Sequence, residues 1–152
     1  MAEALFHSSV RFERDPGWFA LAVYCSDGRF ASACEQFLTQ HFAGRCSDRF
    51  VLPGGPAALV HDAEQAHHLK RMRFLVEAHH LSRVLLIAHD GCRYYHDVLG
   101  LAEGAIPAKQ TDDLRSARAL IETHMPGPAV ETYRAVIDGN RVAIQRVAAA
   151  GG

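Results

Sequence analysis

Apolar and polar positions fall into blocks of two different periods. The run "WFALAVYC" (18–25) is continuously apolar and stops at a polar stretch, the pattern of a strand buried on both faces of a parallel sheet. "FASACEQFLTQHF" (30–42) puts Phe30, Ala33, Cys34, Phe37, Leu38 and His41 on one helical face, and Gly44 ends it. "DRFVL" (48–52) predicts a short strand, and "PGGP" (53–56) a turn. Residues 57–80 predict one long amphipathic helix with Leu59, Ala63, Ala66, Leu69, Met72, Val76 and His79 as its stripe. "RVLLIAH" (83–89) is the most strand-like segment, and the loop "DGCRYYHDVLG" follows it. A second long helix is predicted over 110–125, opening with Thr111 and two aspartates and ending before "PGP". Two alternating runs within 130–147, joined by Asp-Gly-Asn, predict a β-hairpin.

Strands alternating with helices and closed by a hairpin predict an α/β, three-layer domain. The central sheet is expected to be mainly parallel, in order about 2-1-3-4, with a C-terminal antiparallel hairpin strand. That order puts the first and third strands side by side. The stretches "CSDGR" (25–29) and "HDGC" (89–92), which close those strands, then meet in one crevice. The expected organisation is a short arm over 1–17, a single domain over 18–147 and a disordered tail over 148–152.

Composition changes this picture little. The 152 residues suit one domain with a real core, and 49% hydrophobic with 22% charged residues is ordinary for a soluble protein. A formal net charge of −1 gives no basic field for nucleic acid or an anionic membrane surface. No apolar run approaches the roughly 18 residues of a membrane span, and the charged N-terminal stretch does not read as a signal peptide. The expected setting is cytoplasmic. Of the ten histidines, His61, His67, His68, His79 and His80 fall in or at the end of a helical stretch and read as surface or edge residues.

The four cysteines, Cys25, Cys34, Cys46 and Cys92, are too few for a disulfide scaffold. Cys25, His89 and Cys92 are instead candidate ligands for a soft or borderline divalent metal. A structural zinc site would need a fourth protein ligand, whereas three leave a place for water. Taken singly, a cysteine at a strand end is usually a small buried hydrophobe. The placement at two strand ends, the short His–Cys spacing and the neighbouring charges favour a metal centre. Asp27 and Arg29, two residues apart, project to one side and can form a bidentate pair. Alone, that is a common ion pair. Beside a metal, the carboxylate can orient a coordinated nucleophile, or swing onto the metal if Arg29 releases it.

At these residues the sequence resembles the β-class carbonic anhydrases, which carry Cys-x-Asp-x-Arg after the first strand and His-x-x-Cys after the third. The resemblance spans about 18–147. It implies Zn2+, one ion per chain, held by Cys25, His89 and Cys92, with Asp27 and Arg29 as the catalytic dyad. The implied reaction is reversible hydration of carbon dioxide to bicarbonate by attack of a zinc-bound hydroxide. Gly54, Gly55, Gly91, Arg93 and Tyr94 are the expected substrate-pocket residues. Tyr94, Tyr95 and His96 are candidates for a proton shuttle or the pocket wall, with surface or packing roles as the plainer reading of each.

Two departures from the family pattern bear on substrate. "RFVLPGGPA" (49–57) replaces an asparagine-containing pocket loop, and Arg93 stands where glycine often follows the second metal cysteine. Three other readings stay open: a hydrolase of carbonyl sulfide or carbon disulfide on the same scaffold, a non-catalytic zinc-binding homologue, and a thiol redox protein. The last lacks a Cys-x-x-Cys pair. A small-molecule substrate and a homodimer or larger homo-oligomer are the expected partners.

Overall fold

The structure, a computed structural model, describes residues 2–149. The expected disordered tail lies outside the described residues from 150 onward. Residues 2–17 carry no helix or strand, and Leu5, Phe6, Val10 and Phe12 stand in solvent. The chain then runs β1 (Trp18–Cys25), α1 (Gly28–His41), β2 (Cys46–Leu52), α2 (Pro56–His61), α3 (Gln65–His79), β3 (Arg83–His89), α4 (Ile106–His124), β4 (Ala129–Asp138) and β5 (Arg141–Arg146).

The five strands form one sheet in the order β2-β1-β3-β4-β5, parallel except for the antiparallel β4–β5 hairpin. The α/β three-layer architecture expected from the pattern is therefore present. Strand alternation splits the core. Ala20, Ala22 and Tyr24 of β1, with Leu85 and Ile87 of β3, pack against Phe30, Cys34 and Leu38 of α1. Leu21, Val23, Val84, Leu86 and Ala88 pack on the opposite face against Leu59, Leu69, Met72, Leu114 and Ile121 of α2, α3 and α4. Each side chain named here is under a tenth exposed, so burial on both faces explains the unbroken apolar runs.

Two helix boundaries differ from the pattern. The single helix expected over 57–80 is broken at Asp62, whose backbone is extended. Its carboxylate accepts the backbone N–H of Glu64 at 3.0 Å and lies 3.1 Å from Nε2 of His68. A short acidic side chain that bonds the local backbone competes with helix continuation. The break exposes Ala63 and Ala66, which the continuous stripe had placed on the buried face. The helix expected from 110 starts earlier, at Ile106, with Pro107 in its first turn, where a missing N–H costs nothing. Thr111 is thus inside the helix and donates its hydroxyl to the carbonyl of Pro107 at 3.1 Å. The loop after Cys92 is also more ordered than expected, since Tyr94–Val98 form a single π-type turn.

Candidate metal centre and dyad

β1 and β3 are direct neighbours, paired from Ala20↔Arg83 to Tyr24↔Ile87. Their carboxyl ends therefore release Cys25 and His89 side by side, and the turn after His89 brings Cys92 back. Cys25, His89 and Cys92 each offer a ligand atom, and these atoms all lie within 4.8 Å of one another. Sites of this kind have metal–sulfur bonds of about 2.3 Å and metal–nitrogen bonds of about 2.0 Å, so ligand atoms on one ion sit roughly 3.5–4 Å apart. A cluster within 4.8 Å needs only a small inward movement of its side chains to close on one. Cys25 is 9%, His89 3% and Cys92 2% exposed.

The imidazole carries the clearest mark of a ligand. Nδ1 of His89 lies 2.7 Å from the carbonyl oxygen of Asp90, which fixes the proton on that nitrogen. Nε2 then presents its lone pair inward, and it is the buried side-chain polar atom left without a hydrogen-bond partner among the described residues. A buried acceptor without a donor is unfavourable unless something fills it. Two thiols and a bare nitrogen lone pair suit a zinc-like ion. The two thiols do not titrate independently. The neighbouring Cys92 thiol, aided by His89, lowers the pKa of Cys25, and the proximity of Cys25 raises that of Cys92. The pair thus holds one thiolate readily. Burial opposes protonation of His89, but its contacts with Cys25 and the Asp90 carbonyl outweigh burial and raise its pKa.

Asp27 closes the turn after β1 and caps α1. Its Oδ1 accepts the backbone N–H of Arg29 at 3.0 Å, so the cap holds the carboxylate at the helix entrance. The Arg29 side chain adds a fork: Nε contacts Oδ1 at 3.0 Å and Oδ2 at 3.1 Å, and a terminal nitrogen reaches Oδ2 at 2.6 Å. The Arg29 guanidinium holds the Asp27 carboxyl well down, at about 2. The expected pair is formed, and it lies beside the ligand cluster.

A cavity of about 350 Å³ opens over these groups, lined by Cys25, Asp27, Gly54, Cys92, Tyr94 and Val98 among others. Gly54 and Tyr94 make one wall: φ at Gly54 is +84°, and a Cβ there would stand 2.7 Å from Cγ of Tyr94. Gly55 does not line this space but lies against the backbone of Tyr24 and Cys25, where a Cβ would meet the nitrogen of Cys25 at 2.8 Å. Arg93 lines the cavity and pairs with Asp97 at 2.8 Å. Gly91 lies on a neighbouring cavity, together with Cys92, Arg93 and His96, and its carbonyl accepts from Arg29. Tyr95 is 2% exposed and packs with Cys25 and Cys92, whereas His96 is exposed and paired with Asp97.

Sequence pattern did not single out Gln110, Arg134 or Asp90, although all three surround His89. Gln110 is fully buried, and its amide donates to the carbonyl of His89 at 2.6 Å. The available signal was its position on the stripe Ile106, Gln110, Leu114, Ala117 and Ile121, where a polar residue on a buried face needs partners.

The structure resembles the β-carbonic anhydrase isoform I of Trichomonas vaginalis, with a TM-score of 0.62 at 11% identity, over 90% of this chain and 87% of that one. It also aligns with the β-carbonic anhydrase CafA of Aspergillus fumigatus, with a TM-score of 0.48 at 12% identity, over 86% of this chain and 76% of the other. At 11% identity the first of these speaks to the fold alone. No curated protein matches the sequence. A family model described as "Putative carbonic anhydrase" matches residues 16–134, from just before β1 into β4 and across both ligand-bearing turns. With most of its length matched, including every residue of the cluster, the chain belongs to that carbonic anhydrase family.

Proposed function

We propose that this protein catalyses the reversible hydration of carbon dioxide to bicarbonate, with Zn2+ held by Cys25, His89 and Cys92. The observation that carries this reading is the convergence of the three ligand atoms, with the bare Nε2 of His89 among them, beside the Asp27–Arg29 pair. When bound, the ion supplies a nucleophile at neutral pH by lowering the pKa of a coordinated water from 15.7 to about 7.

Asp27 is ionised throughout the neutral range and only accepts hydrogen bonds. Arg29 and the α1 backbone N–H occupy the outer sides of the carboxylate, fixing its direction. The lone pair left open can accept a hydrogen bond from a water or hydroxide in the cavity. Asp27 thereby orients the nucleophile without giving it a proton. Cys25 and Cys92 bring negative charge to the metal, and burial of all three ligands keeps bulk water off their bonds. Gly54, Tyr94 and Val98 give the cavity an apolar wall against which a small uncharged molecule can rest. The Arg29 guanidinium, 64% exposed, pairs with Asp27 at 2.6 Å and so keeps a positive charge beside the site.

The test is a stopped-flow measurement of carbon dioxide hydration by zinc-loaded protein. The reading requires turnover well above the buffer rate. Rapid hydrolysis of carbonyl sulfide or carbon disulfide with negligible carbon dioxide turnover would replace the substrate, and no turnover of any of the three would remove the enzymatic reading.

A further inference from the structure

The turn that presents His89 is held by a polar network outside the ligand set. Pairing of β1 with β3 ends at Ile87, two residues before His89. The His89 carbonyl instead accepts from the amide of Gln110 on α4 at 2.6 Å. The amide oxygen of Gln110 accepts Nε of Arg134 on β4 at 3.3 Å, and a terminal nitrogen of Arg134 donates to Oδ1 of Asp90 at 2.8 Å. The other carboxylate oxygen, Oδ2, accepts the backbone N–H of Ile137 at 2.9 Å, and the backbone N–H of Asp90 donates to the carbonyl of Ala135 at 2.9 Å. The peptide linking His89 to Asp90 is thus gripped at its carbonyl by α4 and at its N–H by β4. The carbonyl of Asp90, fixed by the same grip, is the atom that sets the His89 tautomer.

We propose that Gln110, Arg134 and Asp90 are positioning residues for the metal centre, a relay from α4 and β4 that fixes the peptide after His89 and so keeps Nε2 aimed at the two sulfurs. The proposal rests on the metal reading above. Two features separate this network from ordinary packing. Gln110 is fully buried in the middle of α4, yet each end of its amide is used, one end on the ligand's own carbonyl and the other on the arginine that fixes Asp90. The network also reaches His89 only through main-chain atoms, so the imidazole stays free to bind. Partners that orient a metal-bound histidine typically matter 10–100-fold in metal affinity.

The test uses full-length protein, with Zn2+ affinity read by chelator competition and the ligand field by visible absorption of Co2+-loaded protein. Gln110→Met removes both amide contacts at similar volume. Gln110→Glu keeps an acceptor for Arg134 but sets an acceptor against the His89 carbonyl, and it serves if the first variant does not fold. Arg134→Lys keeps a charge near Asp90 and drops the contact with Gln110. The expected result is a 10–100-fold loss of Zn2+ affinity for Gln110→Met or Gln110→Glu, a smaller loss for Arg134→Lys, and shifted Co2+ ligand-field bands in each. Folded variants with wild-type affinity and unchanged bands would overturn the proposal, even if their melting temperatures fall. A wild-type protein that binds neither ion would overturn the metal reading itself, and the positioning role with it.

Discussion

The guanidinium of Arg29 donates to the carbonyl oxygen of Gly91 at 3.2 Å, from the same nitrogen that reaches Asp27. One side chain therefore ties the turn after β1 to the turn after β3. The first turn carries Cys25 and the carboxylate, and the second carries Cys92. Arg29 thus links Asp27 to the turn that leads to Cys92, which an isolated ion pair would not do.

Asp27→Asn keeps the cap and the shape while removing the charge that Arg29 grips. Zn2+ content should match the wild type, because no ligand changes. The carbon dioxide hydration rate should fall by about 10²-fold, the order of loss when a group that orients the nucleophile is removed. Metal analysis and stopped-flow rates on one preparation check both halves. Near-wild-type turnover would reduce Asp27 to a helix cap.

Arg29→Lys separates the two contacts of Arg29. Lysine can pair with Asp27 as a point charge, but it cannot hold a carboxylate in a fork while also reaching a carbonyl. Activity should fall at least tenfold with Zn2+ retained. The Asp27 carboxyl should titrate closer to the ordinary carboxylate range, which the carboxyl carbon shift in NMR reads directly.

Gly55→Ala should destabilise the fold more than Gly54→Ala. Both positions have positive φ, so both lose conformational freedom on substitution. At Gly54 the added carbon meets a side-chain ring, whereas at Gly55 it meets the backbone of Tyr24 and Cys25, which cannot step aside without moving Cys25. The strain should be about 1–3 kcal/mol for Gly55→Ala. Denaturant midpoints check the order, and Gly55→Ala should also bind Zn2+ more weakly.

Alkaline pH should unfold the protein through its tyrosines. Burial raises all four: Tyr133 is pushed up to about 12, and Tyr24, Tyr94 and Tyr95 are also displaced upward. A group whose folded pKa lies above its unfolded value near 10 stabilises the fold below pH 10, and that contribution is lost as pH rises through the folded value. The tyrosine contribution should be constant below pH 10, and stability should fall steeply towards pH 12. Tyrosinate absorbance should rise together with the loss of helical circular dichroism. A separate rise near pH 10 in folded protein would contradict this.

The strand order and the site were legible for the same reason. β1 and β3 are buried on both faces, so their sequences are apolar without interruption until the chain leaves the sheet. The abrupt change to Ser-Asp-Gly-Arg and Asp-Gly-Cys marks the crevice. Asp138-Gly139-Asn140 signalled the hairpin through turn chemistry alone. The break at Asp62 was missed because the apolar stripe continues across it, while a local carboxylate bond decides the backbone there. The contacts of Gln110 with His89 and of Arg134 with Asp90 join residues 21 and 44 positions apart, which no local period encodes.

The central claim is that Cys25, Cys92 and His89 together hold one metal ion and leave it a place for solvent. X-ray absorption at the zinc edge of the loaded, reduced protein tests it most directly. The account predicts a first shell of two sulfurs and two lighter atoms, one of them from an imidazole, and loss of one sulfur in Cys25→Ser or Cys92→Ser. A shell without sulfur, a shell unchanged by those substitutions, or protein that takes up no zinc would contradict it.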